Sequence, residues 1–198
     1  VVSEFESVRP SGLIAINLGK GDHLGWVRMT TGENEIIMVT ENGMALRYSE
    51  EAVRPTGRQS RGVRGMRVKS NDRLTSMEVI EPEGYLLVLT ENGYGKRTEL
   101  DEYSAKGRAT GGVRTIAHEH LPTIGKIVAA RVVQEEDQIT IITSGGMALR
   151  LRVDGIRASG RATRGVRVMD LQPGHKIASV ARIAVSEIAP KLADDTDS

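Results

Sequence analysis

Short apolar stretches alternate with polar, glycine-containing turns along the chain, and one arrangement of them occurs three times. An apolar stretch that ends in threonine is followed by Asn-Gly or Gly-Gly and then by a second short stretch, and the three copies begin at residues 36–40, 86–90 and 139–143. A type I′ turn needs positive φ at both of its central positions, which Asn-Gly and Gly-Gly supply most easily. The pattern therefore predicts three β-hairpins with type I′ turns.

Two glycine motifs follow each hairpin at a fixed spacing. Gly-Arg comes 17 residues after the threonine and Gly-Val-Arg five residues later, so that successive copies are 50 and 53 residues apart. We interpret the segment that opens with Gly-Val-Arg, such as residues 62–68, as a third strand of each copy. A turn and a fourth strand follow, as at Leu74–Val79 and Ile177–Ile183. Four strands in about 50 residues are typical of a propeller blade.

The copies account for most of the chain. Because residues 9–14 match the end of a copy, we expect three full repeats and the end of a fourth, and no amphipathic helix of useful length is indicated. The sequence thus predicts an all-β, propeller-like domain of four-stranded antiparallel blades over residues 1–185. The tail, residues 186–198, is acidic and is expected to be disordered. The predicted repeats are roughly 1–28, 29–79, 80–132 and 133–185.

Charge is distributed unevenly over the repeats, although the formal net charge is only +1. Segments 43–68, 93–114 and 146–167 hold 17 basic and 6 acidic residues, whereas the rest of the chain holds 10 basic and 20 acidic ones. Fifteen of the 17 are arginines, whose planar guanidinium matches phosphate oxygens. Equivalent residues of successive blades occupy equivalent positions, so these arginines should form a stripe along one edge. Such a stripe repels itself unless a polyanion neutralises it.

We therefore predict that this edge binds DNA, while some of the arginines could instead cap carbonyls at strand ends. Single-strand binders stack bases on recurrent aromatic side chains, and no aromatic residue recurs in register here, which favours the duplex backbone as the target without sequence readout. The predicted DNA-binding residues are Arg47, Arg58, Arg61, Arg64, Arg67, Lys96, Arg97, Lys106, Arg108, Arg114, Arg150, Arg152, Arg161, Arg164 and Arg167.

Other motifs give no sign of catalytic chemistry. The spacing from Gly57 to Gly62 matches a phosphate-binding loop, but Val-Arg follows where Lys-Ser or Lys-Thr is needed, so nucleotide binding is not expected. The chain has no cysteine, and His118 and His120 have no third ligand nearby in sequence, so we expect neither a metal site nor a cofactor. No nucleophile–base pair is recognisable, and no apolar run reaches the ~18–20 residues of a membrane span. We expect no catalysis, no small-molecule substrate and no membrane contact.

The repeats resemble a known family. The stretches TENGYGKRT (90–98), GRQSRGVRG (57–65) and RPSGLIAINL (9–18) resemble the C-terminal domain of DNA gyrase A, and the resemblance covers nearly all of residues 3–183. It implies a β-pinwheel, a propeller-like disc usually of six blades that exchange strands, of which this chain would hold the later ones. It also implies that duplex DNA wraps around the basic rim and so supports negative supercoiling by the rest of the enzyme, a type IIA topoisomerase.

The resemblance further implies partners and leaves alternatives. The partners would be the remainder of gyrase A, which carries the catalytic tyrosine, and the ATPase-bearing B subunit, in the bacterial cytoplasm at the nucleoid. The N-terminus has no signal-peptide pattern. The family's glycine-basic box is matched only in part by residues 59–65, where Ser60 and Val63 depart from it, so the box is expected upstream. The alternatives are the related domain in the A-type subunit of topoisomerase IV and a propeller-type scaffold for an acidic protein partner.

Overall fold

The structure is a computed structural model that describes residues 2–6 and 10–188. It confirms the all-β prediction. Of the tail predicted to be disordered, residues 186–188 belong to a short helix, and the rest lies outside the described residues. Within these ranges the two α-helices, α1 (Leu121–Ile124) and α2 (Val185–Ile188), have four residues each. None of the helices in the described ranges is long and apolar enough to cross a membrane. The strands are β1 (Glu35–Thr40), β2 (Met44–Ser49), β3 (Leu74–Val79), β4 (Tyr85–Thr90), β5 (Tyr94–Glu99), β6 (Val113–Arg114), β7 (Ile127–Val133), β8 (Gln138–Thr143), β9 (Ala148–Arg152), β10 (Val166–Arg167) and β11 (Ile177–Ile183).

The strands form three antiparallel sheets, one for each full repeat. Sheet 1 has the strand order β3-β1-β2-β6, sheet 2 the order β10-β5-β4-β7, and sheet 3 the order β11-β8-β9. Successive sheets pack face to face. Alternate side chains of a strand point to opposite sides of its sheet, so one strand can contribute to two apolar cores. In β4, Leu86 and Val88 join the apolar core shared with sheet 1, and Leu87 and Leu89 join the core shared with sheet 3. A strand that is buried on both faces reads as a continuous apolar run, as this one does.

The strands β3, β7 and β11 lie at one edge of their sheets and contact one another in that order. The hydroxyl of Thr75 donates to the carbonyl of Val128 (3.1 Å), and the hydroxyl of Ser76 accepts from the N–H of Ala130 (2.9 Å). These three are the inner strands of the assembly. The strands β6 and β10 occupy the opposite edges of sheets 1 and 2, so they form its outer rim.

The hairpin turns differ from the predicted type. The φ angle is positive at Gly43 (88°) but not at Asn42, and the N–H of Gly43 donates to the carbonyl of Thr40 (3.1 Å). The same geometry recurs at Gly93 and Gly146. A type I turn followed by one left-handed residue, in a three-residue loop, has these features. The prediction of type I′ turns was therefore wrong, although the hairpins themselves are present.

The Gly-Val-Arg motif was expected to form a strand in every copy, and its strand belongs to the sheet of the preceding repeat. β6 pairs with β2, with Val113 opposite Ala45, and β10 pairs with β5, with Val166 opposite Gly95. The first motif, residues 62–68, forms no strand. A ladder needs a partner, and within residues 10–188 no strand lies opposite this segment. The prediction of a strand at 62–68 was wrong for that reason.

Candidate nucleic-acid interface

The two outermost strands carry an exposed arginine in the same register. Arg114 of β6 lies opposite Met44, and Arg167 of β10 lies opposite Tyr94; both arginines are exposed. Glycine is required before them: a Cβ at Gly165 would lie 2.5 Å from the Gly95 carbonyl oxygen. The rim strand thus lies close against the backbone of the neighbouring strand, and this contact determines the position from which each arginine side chain extends.

Most of the other predicted binding residues also lie at the surface, on the rim strands, on the loops that lead to them, or on β9. The half-buried ones on these loops are Arg58, Arg108 and Arg161. The exposed ones are Arg61, Arg64, Arg67, Lys106, Arg114, Arg150, Arg152, Arg164 and Arg167. We call the exposed and half-buried members of residues 57–67, 106–114 and 160–167 the rim cations. Arg157, which the sequence analysis did not select, is exposed beside them.

Two of the half-buried rim cations connect neighbouring repeats. The guanidinium of Arg108 donates to the carbonyls of Arg64 (2.5 Å) and Ala52 (3.2 Å). The guanidinium of Arg161 lies 3.9 Å from the carboxylate of Glu102. These contacts hold one loop against the next, so that the rim cations of successive repeats keep a fixed spacing.

Arg47 and Arg97 were predicted to contact DNA, but the structure gives both of them internal partners. Arg47 pairs with Glu35 and donates to the carbonyl of Leu100 (2.8 Å). Arg97 is buried, donates to the carbonyl of Ile156 (2.8 Å), and its guanidinium lies 4.6 Å from the ring centroid of Tyr85. Both cap a carbonyl of the next repeat, which is the structural alternative that the register had left open. We therefore remove them from the candidate interface.

Lys96 is also internal. Its side chain is almost completely buried (1% exposed), and Nζ donates to the Gly160 carbonyl (2.9 Å) and to the Thr163 hydroxyl (3.3 Å). Burial disfavours the ammonium form and lowers the pKa of Lys96 from 10.5 to about 8, although the carboxylate of Glu102 acts in the opposite direction. Lys96 therefore supports the loop that carries Arg161 and Arg164 without reaching the surface. It too is withdrawn from the interface.

Tyr94 groups two rim cations in a way that the repeat pattern did not indicate. The guanidinium carbons of Arg167 and Arg164 lie 5.3 Å and 5.8 Å from its ring centroid, and Arg167 donates to its hydroxyl (3.2 Å). Arg167 also pairs with Asp170 (3.1 Å). Tyr94 is not part of a recurrent set of aromatic residues, because the equivalent residues of the other two repeats are Met44 and Met147. In the sequence, this grouping is indicated only by the tyrosine that follows the hairpin glycine of one repeat, where the other two repeats have methionine.

A second recurrent set of basic residues lies on the inner side. Arg73, Lys126 and Lys176 stand just before β3, β7 and β11 and are exposed. Lys126 pairs with Glu41 (3.0 Å) and Lys176 with Glu91 (3.2 Å), each in the preceding repeat. These two lysines are matched with carboxylates at the inner edge. These three inner residues can therefore be compared with the rim cations as a control for the effect of positive charge alone.

Comparison with known proteins identifies the family. The family model described as "DNA gyrase C-terminal domain, beta-propeller" matches residues 1–29, 34–81, 84–134 and 137–184. The DNA gyrase A protein of Mycolicibacterium smegmatis is 39% identical over 99% of the chain, and that of Staphylococcus epidermidis is 36% identical over 92%. The chain spans only 23% and 20% of the length of these two relatives.

Solved structures agree with the sequence comparison. The C-terminal domain of DNA topoisomerase IV superposes with a TM-score of 0.89 at 30% identity, over 97% of this chain and 60% of that structure. A DNA gyrase A C-terminal domain superposes with a TM-score of 0.81 at 27% identity, over 91% of this chain and 59% of that structure. The strand exchange at β6 and β10, the repeated sheets and the family match lead to one conclusion: the chain belongs to the family of DNA gyrase C-terminal domains.

Proposed function

We propose that this chain binds duplex DNA along its outer rim, largely independently of sequence. The observation that carries the proposal is the position of Arg114 and Arg167, which recur in register on the outermost strands and are exposed. Loops with further exposed arginines lead into both strands. Arginine side chains in such an array suit phosphate oxygens, and phosphate contacts supply sequence-independent affinity. Recurrence at one register of the repeat favours a periodic polyanion over a compact ligand.

The arrangement of the sheets supports a bent path for the DNA. The inner strands contact one another in succession while the rim strands lie at the opposite edges, so the rim follows a curve around the inner strands. A straight duplex would contact the cations of one or two repeats only. Bending a short duplex costs on the order of 1–6 kcal/mol, which additional phosphate contacts must offset. Affinity should therefore increase with duplex length until the curve is fully occupied.

The proposal places the chain within a larger enzyme. We infer that it acts as a non-catalytic module of gyrase A, together with the remainder of that protein and the B subunit, at the bacterial nucleoid. In that setting, DNA bent along the rim supports negative supercoiling by catalytic sites outside this chain. The high TM-score with the topoisomerase IV domain favours a second candidate, the corresponding subunit of that enzyme. DNA binding at the rim is common to both candidates.

The experiment compares two triple variants that remove the same charge. The rim variant is Arg61→Ala, Arg64→Ala, Arg67→Ala, and the inner control is Arg73→Ala, Lys126→Ala, Lys176→Ala. All six side chains are exposed. Binding of fluorescent random-sequence duplexes is measured against salt concentration, with end-to-end energy transfer as the readout of bending. The parent should show a linear log–log salt dependence with a slope of about −0.9 for each phosphate neutralised.

The rim variant should bind long duplexes at least ~10-fold more weakly and lose ~2–3 units of salt slope, since up to three phosphate contacts are removed. The inner control should bind and bend DNA nearly as the parent does. Equal losses in the two variants would mean that net charge alone is read, and the rim assignment would fail. A flat salt response of the parent, or preference for an acidic protein, would replace the proposal with the scaffold function.

A further inference from the structure

A small polar pocket lies next to the rim, at the end of sheet 1 where the turn between β1 and β2 is found. Its volume is about 90 Å³, far below the ~300–1,000 Å³ of pockets that enclose an organic ligand, so it has room for one small group only. Its walls come from that turn, from the turn before β3, from the end of β6 and from the segment after β6. The polar residues that line it are Asn42, Lys69, Asn71, Asp72, Arg114 and His118.

Hydrogen bonds connect the walls of this pocket. The N–H of Asn42 donates to Oδ1 of Asp72 (3.0 Å), and the side-chain amide of Asn42 donates to the carbonyl of Asn71 (3.0 Å). The segment after β6 is attached to the same hairpin, because the N–H of Thr115 donates to the carbonyl of Gly43 (2.8 Å). These bonds hold the walls in position relative to one another.

Three basic side chains surround the pocket. Lys69, Arg114 and His118 are exposed, and within the described part of the chain none of these side chains has a hydrogen-bond or ion-pair partner. One carboxylate, that of Asp72, also lines the pocket, but its Oδ1 already accepts from two backbone N–H groups. The pocket thus combines several donors with an excess of positive charge. Such a combination favours a small anion and disfavours a metal cation.

The equivalent place in sheet 2 has lost this chemistry. Leu171 stands four residues after the rim arginine, where the first site has His118, and Pro122 stands four residues before the inner basic residue, where the first site has Lys69. Leu171 packs against the hairpin turn, since a Cβ at Gly93 would lie 3.5 Å from its Cγ. The polar pocket is therefore a property of one repeat and not of the repeat pattern.

We propose that this pocket binds one phosphate group of the duplex held by the rim, with His118 in its protonated form. It rests on the duplex binding proposed for the rim, and it adds Lys69 and His118 to the contacts. Arg114 lines the pocket and also lies on the rim strand β6. A phosphate in the pocket is therefore continuous with the phosphates that the rim cations contact.

Charge at the other end of the sheets favours DNA on the side of the pocket. A short 3-10 helix follows the second strand of each hairpin, and acidic residues occupy its first turn: Glu50 and Glu51, Asp101 and Glu102, and Asp154. These carboxylates repel a phosphate backbone that leaves the rim in their direction. A duplex displaced from the centre of the rim therefore passes over the end where the pocket lies.

Binding through His118 makes DNA affinity depend on pH. Imidazole changes its charge between pH 5 and pH 8, and a phosphate beside it favours the protonated form. The complex then holds more protons than the separate partners, so affinity must rise as the pH falls. The charged groups that face the imidazole across the pocket are Lys69, Asp72 and Arg114, and its own segment adds Glu119 and His120.

The test measures binding of a fluorescent random-sequence duplex at about pH 5.5 and about pH 7.5, on either side of the usual histidine titration, at constant ionic strength. The parent should bind about 5–10-fold more tightly at the lower pH, the effect of one stabilised proton. His118→Gln should lose most of this difference. His118→Arg, which is charged at both values, should bind at the higher pH as tightly as the parent does at the lower one. His120→Gln is the matched control, because His120 does not line the pocket, and it should keep the parent's pH dependence.

Lys69 provides a readout that is independent of pH. Lys69→Ala should weaken duplex binding ~3–5-fold and lower the salt slope by about 1, since one phosphate contact is removed. Lys126→Ala, which removes an exposed lysine from the inner side, should leave both quantities near those of the parent. Equal effects of the two lysine variants would contradict a phosphate contact at Lys69.

NMR of the histidine ring protons identifies the source of the phosphate. Duplex DNA should shift the resonances of His118, whereas inorganic phosphate at the same phosphate concentration should not, because rim contacts give the DNA phosphate a high effective concentration. A response to inorganic phosphate without a response to DNA would overturn the proposal in favour of a site for free anions. Tight duplex binding with the same pH dependence in His118→Gln as in the parent would also overturn it. A parent that binds no duplex at either pH would instead contradict the function proposed for the rim.

Discussion

The contact between sheets 1 and 2 and the contact between sheets 2 and 3, which we call junctions, have the same backbone pairing but bury different side chains. In both, Gly-Val-Arg pairs with the start of a hairpin's second strand in one register. Two residues further along that strand, the first junction buries Leu46 and the second buries Lys96. Leu46 needs no polar partner, whereas Lys96 donates to a carbonyl and a hydroxyl of the next repeat.

This difference separates what the repeat keeps from what it varies. The close contacts of backbone with backbone leave no room for a side chain, so glycine is needed at the same place in both junctions. Behind that contact, an apolar side chain and a hydrogen-bonded cation fill equivalent space. Charged residues at similar spacing therefore need not have a similar role. Lys96 was predicted to bind DNA from its spacing, although it is buried between repeats.

The largest effect should follow from adding a methyl group at the backbone contact. Gly112→Ala should lower the free energy of unfolding by about 2–4 kcal/mol, because left-handed strain adds to overlap with the Ala45 carbonyl. Gly12→Ala, at the equivalent position with a similar φ of 78° but no neighbour within 4 Å, should cost only the left-handed strain of about 1–2 kcal/mol. Urea unfolding measures both. Equal losses would show that backbone strain alone, rather than the junction, requires glycine.

The second prediction asks whether sheet 2 needs a cation in its junction. Lys96→Ala should lower the free energy of unfolding by about 2–3 kcal/mol, because it empties a fully buried site. Lys96→Met keeps most of the apolar volume, and the Gly160 carbonyl still accepts from the Thr163 hydroxyl (2.8 Å). This variant should stay within about 1 kcal/mol of the parent, since a buried charge contributes little net stability. A methionine variant as unstable as the alanine one would assign the stability to the hydrogen bonds of the ammonium group.

The third prediction concerns pH at the same site. The pKa of Lys96 is lowered to about 8 in the folded state from 10.5, so between these values the unfolded chain binds more protons. Stability contributed by this site must then rise with pH. The parent should gain about 2 kcal/mol relative to Lys96→Met between about pH 7.5 and pH 9.5. Parallel stability curves for the two proteins over this range would contradict the lowered pKa.

Sequence predicted the parts of the fold that depend on short-range patterns. The fourth strands at Leu74–Val79 and Ile177–Ile183 were placed to the residue, because apolar runs and turn residues delimit them. The exchange of β6 and β10 was implied only by the family resemblance, since a two-residue strand carries no periodic signal. The type I′ prediction failed because Asn-Gly is compatible with either turn.

The candidate interface was predictable in outline but not in membership. Recurrent arginines indicated a rim rich in cations, and most of these side chains are exposed in the structure, whereas their contact with DNA stays a prediction. Burial decided which of them face solvent. Arg97 and Lys96 follow a hairpin just as Arg150 does, yet the following repeat covers the first two, whereas no further repeat among the described residues covers Arg150, which is exposed. The residues that cover Lys96 and Arg97 lie some 60 positions further along the sequence. A local sequence pattern therefore does not predict the burial of these two side chains.

The smallest expected effect concerns Tyr94, which distinguishes the rim of sheet 2 from that of sheet 1. Its ring and hydroxyl hold Arg164 and Arg167 at the surface, so less side-chain freedom is lost when these arginines meet phosphates. Tyr94→Met, which places the residue of sheet 1 in sheet 2, should weaken duplex binding ~2–5-fold, the size of an exposed cation–π contact. Tyr94→Phe removes only the hydroxyl contact and should lie between the parent and the methionine variant.

Two further readouts separate this role of Tyr94 from a loss of phosphate contacts or of fold. The salt slope of DNA binding should not change in either variant, because the same arginines still reach the same phosphates. The melting temperature should change little in Tyr94→Met, since methionine already fills the equivalent site at Met44. Fluorescence anisotropy at several salt concentrations measures both affinity and slope. If both variants bind as tightly as the parent, Tyr94 does not preorganise the arginines, and the rims of sheets 1 and 2 are equivalent for DNA.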